Sequence, residues 1–138
     1  MLEHVSLTVR DIDAMTRFLC TAFPDFHTRG SGANVNQGWS QNWSHVGNND
    51  QYIALYEAKP NAAPPQPAHT TAPSANHIGA VVDDVESVRS RLISAGYTEG
   101  FVPEPHPHRR RVYFVDPEGF EWEFVEYFST DVEKRNQY

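Results

Sequence analysis

The chain says nearly the same thing twice. The segment His4-Val-Ser-Leu-Thr-Val9, followed by Asp11-Ile12 and a helix-like stretch ending near Ala22, recurs as His77-Ile-Gly-Ala-Val-Val82, Asp84-Val85 and a stretch ending near Ala95. A single offset of 73, the separation of His4 from His77, also aligns Val9 with Val82, Leu19 with Leu92 and Ala22 with Ala95 without a gap. Such a duplication restricts the fold to two copies of one unit. It also puts a histidine at the head of each copy.

Within the first copy, residues 2–9 alternate, with Val5, Leu7 and Val9 toward one face and His4, Ser6 and Thr8 toward the other. Asp11 is a suitable N-cap, and Ile12, Met15, Phe18, Leu19 and Ala22 follow at helical spacing until Phe23-Pro24 stops the helix. Three strand-like stretches lie between His27 and Glu57, the clearest being 42–46 and 51–56, split by the turn Gly47-Asn48-Asn49-Asp50. The unit reads β-α-β-β-β. Residues 58–76 hold Pro60, Pro64, Pro65, Pro67 and Pro73, which supply no ladder donors, so the tract reads as a linker between halves.

The second copy repeats the plan, with a strand over 77–82 and a helix capped by Asp84, faced by Val85, Val88, Leu92 and Ala95 and ended by Gly96. A strand over 111–115, the turn Asp116-Pro117-Glu118-Gly119 and a last strand over 120–127 follow. Alternation puts Glu121, Glu123 and Val125 on one face of that strand and Trp122 and Phe124 on the other. The polar tail reads as a frayed helix. The expected organisation is one α+β domain over 1–138: module one at about 1–57, linker 58–76, module two 77–127 and tail 128–138.

With 138 residues, 39% of them hydrophobic, the chain is long enough to bury the core of one compact domain. No apolar run is long enough for a bilayer and the N-terminus opens directly on a strand, so a cytoplasmic protein without membrane contact is expected. A net charge of −7 opposes a duplex nucleic-acid surface, which needs clustered cations. Cys20, the single cysteine, excludes an internal disulfide and fits a small buried helix position. The run Arg109-Arg110-Arg111 is the one basic cluster, read as a solvated strand edge or the holder of a small anion.

Neither copy covers both faces of its sheet, so the sheets are expected to join with the helices outside. The inner face then carries His4, His77 and Glu123. Two neutral imidazoles and a carboxylate bind one divalent Fe, Mn, Zn, Ni or Co ion and leave positions open for substrate. A histidine on a half-buried strand also serves simply to pack. An inward carboxylate without a partner is expensive to bury, which favours a ligand role for Glu123.

The paired units, their leading histidines and the segment Val112-Tyr-Phe-Val-Asp-Pro-Glu-Gly-Phe-Glu-Trp-Glu-Phe-Val-Glu-Tyr127 closely resemble the vicinal oxygen chelate superfamily. That family includes glyoxalase I, extradiol ring-cleaving dioxygenases, methylmalonyl-CoA epimerase, fosfomycin resistance thiol transferases and metal-free bleomycin-binding proteins. The resemblance spans residues 2 to about 127, and Asp-Pro-Glu-Gly is its most specific part. It implies two βαβββ modules whose mixed sheets form a cup-shaped half-barrel, helices outward. It also implies that His4, His77 and Glu123, seven places after Asp116, hold a divalent metal ion. Tyr113 matches substrate-contacting tyrosines of several relatives, which makes Glu123 and Tyr113 the catalytic candidates.

One departure stands out. Glyoxalase I and the epimerases take a fourth ligand, Glu or Gln, from the last strand of the first unit, where this chain aligns Ala54. Glu57 lies on the opposite face by parity and substitutes only through a bulge. The remaining three ligands resemble both the fosfomycin thiol transferases and the ring-cleaving dioxygenases. Parity assigns Ser6, Thr8, Tyr56, Arg111 and Tyr113 to substrate binding, while Trp39 and Trp43 wall a pocket or pack the halves together. His106 and His108 sit in a proline-stiffened loop, at the pocket rim or on the surface, and His27, His45 and His69 receive no role.

The expected function is a glyoxalase-like, metal-dependent enzyme that chelates vicinal oxygens of a small-molecule substrate by lyase, isomerase, thiol transferase or dioxygenase chemistry. The competing reading is a metal-free binder, of the bleomycin-resistance type, that sequesters a cationic or aromatic molecule. Relatives of this length imply a homodimer, and the cup can close within one chain or across two.

Overall fold

In a computed structural model of the chain, residues 2–36 and 38–138 are described. They fall into two compact units, Met1–Pro65 and Gln66–Tyr138. The first runs β1 (His4–Val9), α1 (Ile12–Ala22), β2 (His27–Asn36), β3 (Trp39–Gly47) and β4 (Tyr52–Glu57). The second runs β5 (Ile78–Val81), α2 (Val85–Ser94), β6 (Thr98–Glu99), β7 (Arg109–Val115) and β8 (Glu121–Tyr127), with a short α3 (Val132–Arg135) after it. Sheet orders are β1-β4-β3-β2 and β5-β8-β7-β6. In each, the first and last strands pair in parallel and the other neighbours are antiparallel. The fold is α+β, two βαβββ modules each built on a mixed four-stranded sheet.

The two longer helices, α1 and α2, start where side chains dictate. The Asp11 carboxylate accepts the Ala14 N–H at 2.8 Å and opens α1. Met15, Phe18, Leu19 and Ala22 then bury one stripe with Leu7, Val9, Val46 and Leu55 as core neighbours. Asp84 caps α2 by accepting from the Ser87 N–H at 3.0 Å, and Gly96, at φ +87°, allows the chain to turn out of it. Val85, Val88 and Leu92 share the second core with Phe114, Trp122 and Phe124. Cys20, beside the α1 stripe, is half-buried, and burial pushes its thiol pKa up.

Between β3 and β4, Asn48 Oδ1 accepts the N–H groups of Asp50 and Gln51, both at 3.0 Å, which tightens the turn. At Gly47 a Cβ would collide with the Gln51 carbonyl oxygen and the Tyr52 backbone. Gly47→Ala is therefore expected to lower the stability of module one by about 1–3 kcal/mol, read from the urea midpoint.

Some boundaries differ from the sequence reading. β7 begins at Arg109 instead of residue 111, because Arg109 and Arg110 continue the ladder opposite Tyr127 and Glu126 of β8; the Arg109 side chain is covered, its guanidinium donating to the Arg135 carbonyl at 3.2 Å and lying over the Tyr138 ring. β6 is two residues long, too short to show alternation. The proline-rich tract is split between the units at Pro65/Gln66, so its second half packs with module two. No helix among the described residues is long and apolar enough to cross a membrane.

Candidate metal centre

In module two the site begins at the turn. Asp116 Oδ1 accepts the backbone N–H groups of Glu118, Gly119 and Phe120, each at 2.9 Å, and Oδ2 accepts the Trp122 indole N–H at 2.9 Å. Burial raises the pKa of this carboxyl, against the downward pull of those four donors. Gly119 has φ +104°, a backbone state that other residues rarely adopt. The turn sets the β7–β8 register, in which Glu123 faces Tyr113 on one side and Gly79 of β5 on the other. Motif and carboxylate are thus one mechanical unit.

Glu123 lies on the sheet face turned away from α2, 15% exposed. Its two oxygens have separate partners. Oε1 accepts the Tyr113 hydroxyl at 2.5 Å, with Arg111 Nη1 3.8 Å away, while Oε2 is 3.0 Å from His77 Nε2. The His77 ring meets Tyr113 edge-on at 5.7 Å. Burial first, and then the bond to Glu123, push the Tyr113 pKa far above its ordinary value, so the phenol stays a donor. Four of the residues singled out in the sequence, His77, Arg111, Tyr113 and Glu123, therefore meet at one place.

Sequence reasoning passed over a second pair on the same face. Glu121, two residues before Glu123 and 5% exposed, receives the His69 imidazole, Nε2 to Oε2 at 2.8 Å, and the Phe101 N–H at 3.3 Å. His69 belongs to the proline-rich tract, at φ +59°, with its own N–H on Asn76 Oδ1 at 2.9 Å. The available signal was parity: an inward carboxylate at 121 needed a cationic or donor partner. Gly100 leaves room for it, since a Cβ there would stand 2.6 Å from Glu121 Oε1.

The arginine run splits three ways. Arg109 is buried, Arg110 pairs with Glu86 on α2 at 3.3 Å, and Arg111 reaches toward Glu123. His106 and His108 lie in the loop before β7, rings 5.8 Å apart, and burial with nearby Arg109 lowers the His106 pKa.

In module one, His4, Ser6 and Thr8 occupy the face of β1 turned away from α1, beside Tyr52, Ala54 and Tyr56 of β4. His4 Nδ1 is 3.0 Å from Glu3 Oε2. The β1–β4 register runs unbroken through Glu57, so that residue stays on the helix face, where it accepts from the Asn42 side chain at 2.9 Å. Ala54 accordingly has no carboxylate standing in for it. Trp43 packs on its own sheet: its indole lies over β2, where an added Cβ at Gly32 would come within 3.1 Å. Trp39 is half-buried on β3. Among the described residues no three His, Cys, Asp or Glu side chains gather around one point.

This fold and these residues can be set beside known proteins. The sequence model of the Glyoxalase/Bleomycin resistance protein/Dioxygenase superfamily matches residues 1–124. The chain belongs to that superfamily. Among proteins with curated descriptions, none matches the sequence. A glyoxalase family protein from Bacillus cereus is similar in structure at a TM-score of 0.76 and 16% identity, over 93% of this chain and 94% of that one. A variant of the fosfomycin resistance protein FosX from Listeria monocytogenes, solved with Mn(II) and 1S,2S-dihydroxypropylphosphonic acid, is similar at 0.73 and 19%, over 99% and 98%. A glyoxylase/bleomycin resistance protein/dioxygenase domain from Frankia sp. EAN1pec is similar at 0.70 and 23%, over 92% and 97%. At such identities the likeness concerns the fold.

Proposed function

We propose that the chain is a divalent-metal-dependent enzyme that binds a small molecule through two neighbouring oxygens, with His77, Glu123 and His4 as the metal-holding residues. The observation that carries this reading is the 3.0 Å approach of His77 Nε2 to Glu123 Oε2, with Oε1 held separately by Tyr113. An imidazole nitrogen and a carboxylate oxygen this close to each other would be able to hold one divalent ion together. The donor set, imidazole nitrogen with carboxylate oxygen, suits Mn, Fe, Co, Ni or Zn. His4 adds an exposed imidazole from module one. The FosX structure, with Mn(II) and a ligand bearing adjacent hydroxyls, supports the choice of metal and of ligand class.

When bound, such an ion acts as a Lewis acid on the substrate's oxygens. The chain's own residues divide the remaining work. Tyr113, kept protonated, fixes Glu123 through Oε1 and leaves Oε2 toward His77. Arg111 places a positive charge 3.8 Å from Oε1, where a substrate oxyanion is favoured. Ser6, Thr8 and Tyr56 are the proposed substrate contacts from module one. Ala54, where glyoxalase I has a carboxylate, turns the reading away from lactoylglutathione lyase chemistry.

The test uses protein made without a polyhistidine tag. Stoichiometric divalent metal is expected, together with a thermal midpoint that rises with added Mn(II) and falls back with EDTA. Metal content far below one ion per chain, unchanged in His77→Ala, sinks the proposal. Stabilisation by cationic aromatic drugs but by no divalent ion replaces it with sequestration.

A further inference from the structure

A histidine on the exposed face of an edge strand ordinarily samples several rotamers and two neutral tautomers, and ordering it opposes metal binding. His4 is in that position, with its side chain 38% exposed. Two contacts nevertheless restrict it. In the parallel β1–β4 register His4 lies beside Tyr52, and the rings stack at 4.7 Å with 13° between planes, close to the interstrand spacing.

Tyr52 is itself held from several directions. The Arg29 guanidinium lies 4.6 Å over its ring, from the point where β2 slips register between Thr28 and Gly30. His45 of β3 packs against it at 4.7 Å, and Trp43 packs against His45 at 4.8 Å. The row ends on β2, where Gly32 leaves space for the indole. A rank of rings thus crosses the sheet and finishes at His4.

The second contact decides the tautomer. Glu3 Oε2, 3.0 Å from His4 Nδ1, can only accept when ionised, so the neutral ring carries its hydrogen on Nδ1 and its lone pair on Nε2. We propose that Tyr52 and Glu3 are positioning residues for His4, the stack setting the ring's plane and the carboxylate selecting Nε2 as the nitrogen offered to a cation. The inference rests on the reading of His4 as a ligand. The strand itself is anchored by Leu7 and Val9 on its other face, so its packing does not depend on either contact.

Calorimetric titration with Mn(II) tests it. Tyr52→Leu and Glu3→Ala are each expected to weaken binding about tenfold, whereas Tyr52→Phe, which keeps the stack, stays within about twofold of wild type. In a His4→Ala background, Tyr52→Leu is expected to have no further effect, since the coupled term is gone. The metal-free protein provides a second readout: the His4 ring-proton resonances, shifted upfield by the tyrosine in wild type and Tyr52→Phe, lose that shift in Tyr52→Leu. Full Mn(II) affinity in Tyr52→Leu, or an equal loss with and without His4, overturns the inference. If His4→Ala weakens binding but Tyr52→Leu does not, the ligand reading stands and the positioning role alone falls. If His4→Ala leaves Mn(II) affinity untouched, the ligand reading fails and takes the inference with it.

Discussion

Asp116→Ala is expected to lower stability by about 3–5 kcal/mol, enough to leave module two largely unfolded at modest urea concentrations. Four donors lose their acceptor at once, and the Trp122 indole N–H and the Glu118 amide are buried where water cannot replace it. An unpaired buried donor costs about 1–3 kcal/mol, so even partial relaxation leaves a large deficit. Asp116→Asn is the milder case. Its Oδ1 can keep the three backbone N–H groups, while its amide then faces the indole donor, for a loss of about 1–3 kcal/mol. Urea titrations of both variants, followed by tryptophan fluorescence, check the order. A near-neutral alanine variant would mean that β7 and β8 hold their hairpin without the turn.

Glu123→Gln is expected to separate metal affinity from stability. Loss of the proposed direct ligand should weaken Mn(II) binding by more than about 100-fold, since changes behind a ligand already cost 10–100-fold. The metal-free fold should move by less than about 1 kcal/mol, because the glutamine carbonyl still accepts the Tyr113 hydroxyl and the site is only partly buried. Calorimetry on the native variant and urea titration of the metal-free one give the two numbers. Wild-type Mn(II) affinity in Glu123→Gln removes the proposed centre, and a stability loss of several kcal/mol makes Glu123 a structural residue instead.

How much of this was legible beforehand depended on periodicity. The 73-residue repeat and the parity of β1 and β8 were enough for the two βαβββ modules and for the company of Tyr113, Arg111 and Glu123, because alternation in a strand directly dictates facing. Asp11 and Asp84 marked both helix starts for the same local reason. What escaped were contacts made across long sequence separations by irregular backbone. His69 reaches Glu121 from 52 residues away, out of a proline-rich tract that carries no period to read. Arg109 belongs to a run that reads as a solvated edge or the holder of a small anion, yet the tail covers it through Arg135 and Tyr138. The ring row from Trp43 to His4 follows from the register of four strands, and that register is set by turns and a bulge that composition alone does not place.

The hairpin closed by Asp116 also restricts how this chain can change in length. Because facing alternates along β8, one residue added between Gly119 and Glu123 would carry the carboxylate into the apolar layer under α2 and bring Trp122 out in its place. Insertions there are permitted only in even numbers, and an even one still moves the acid a full strand repeat away from His77. The stretch is a ruler, and descendants of this chain that keep the site must keep its length.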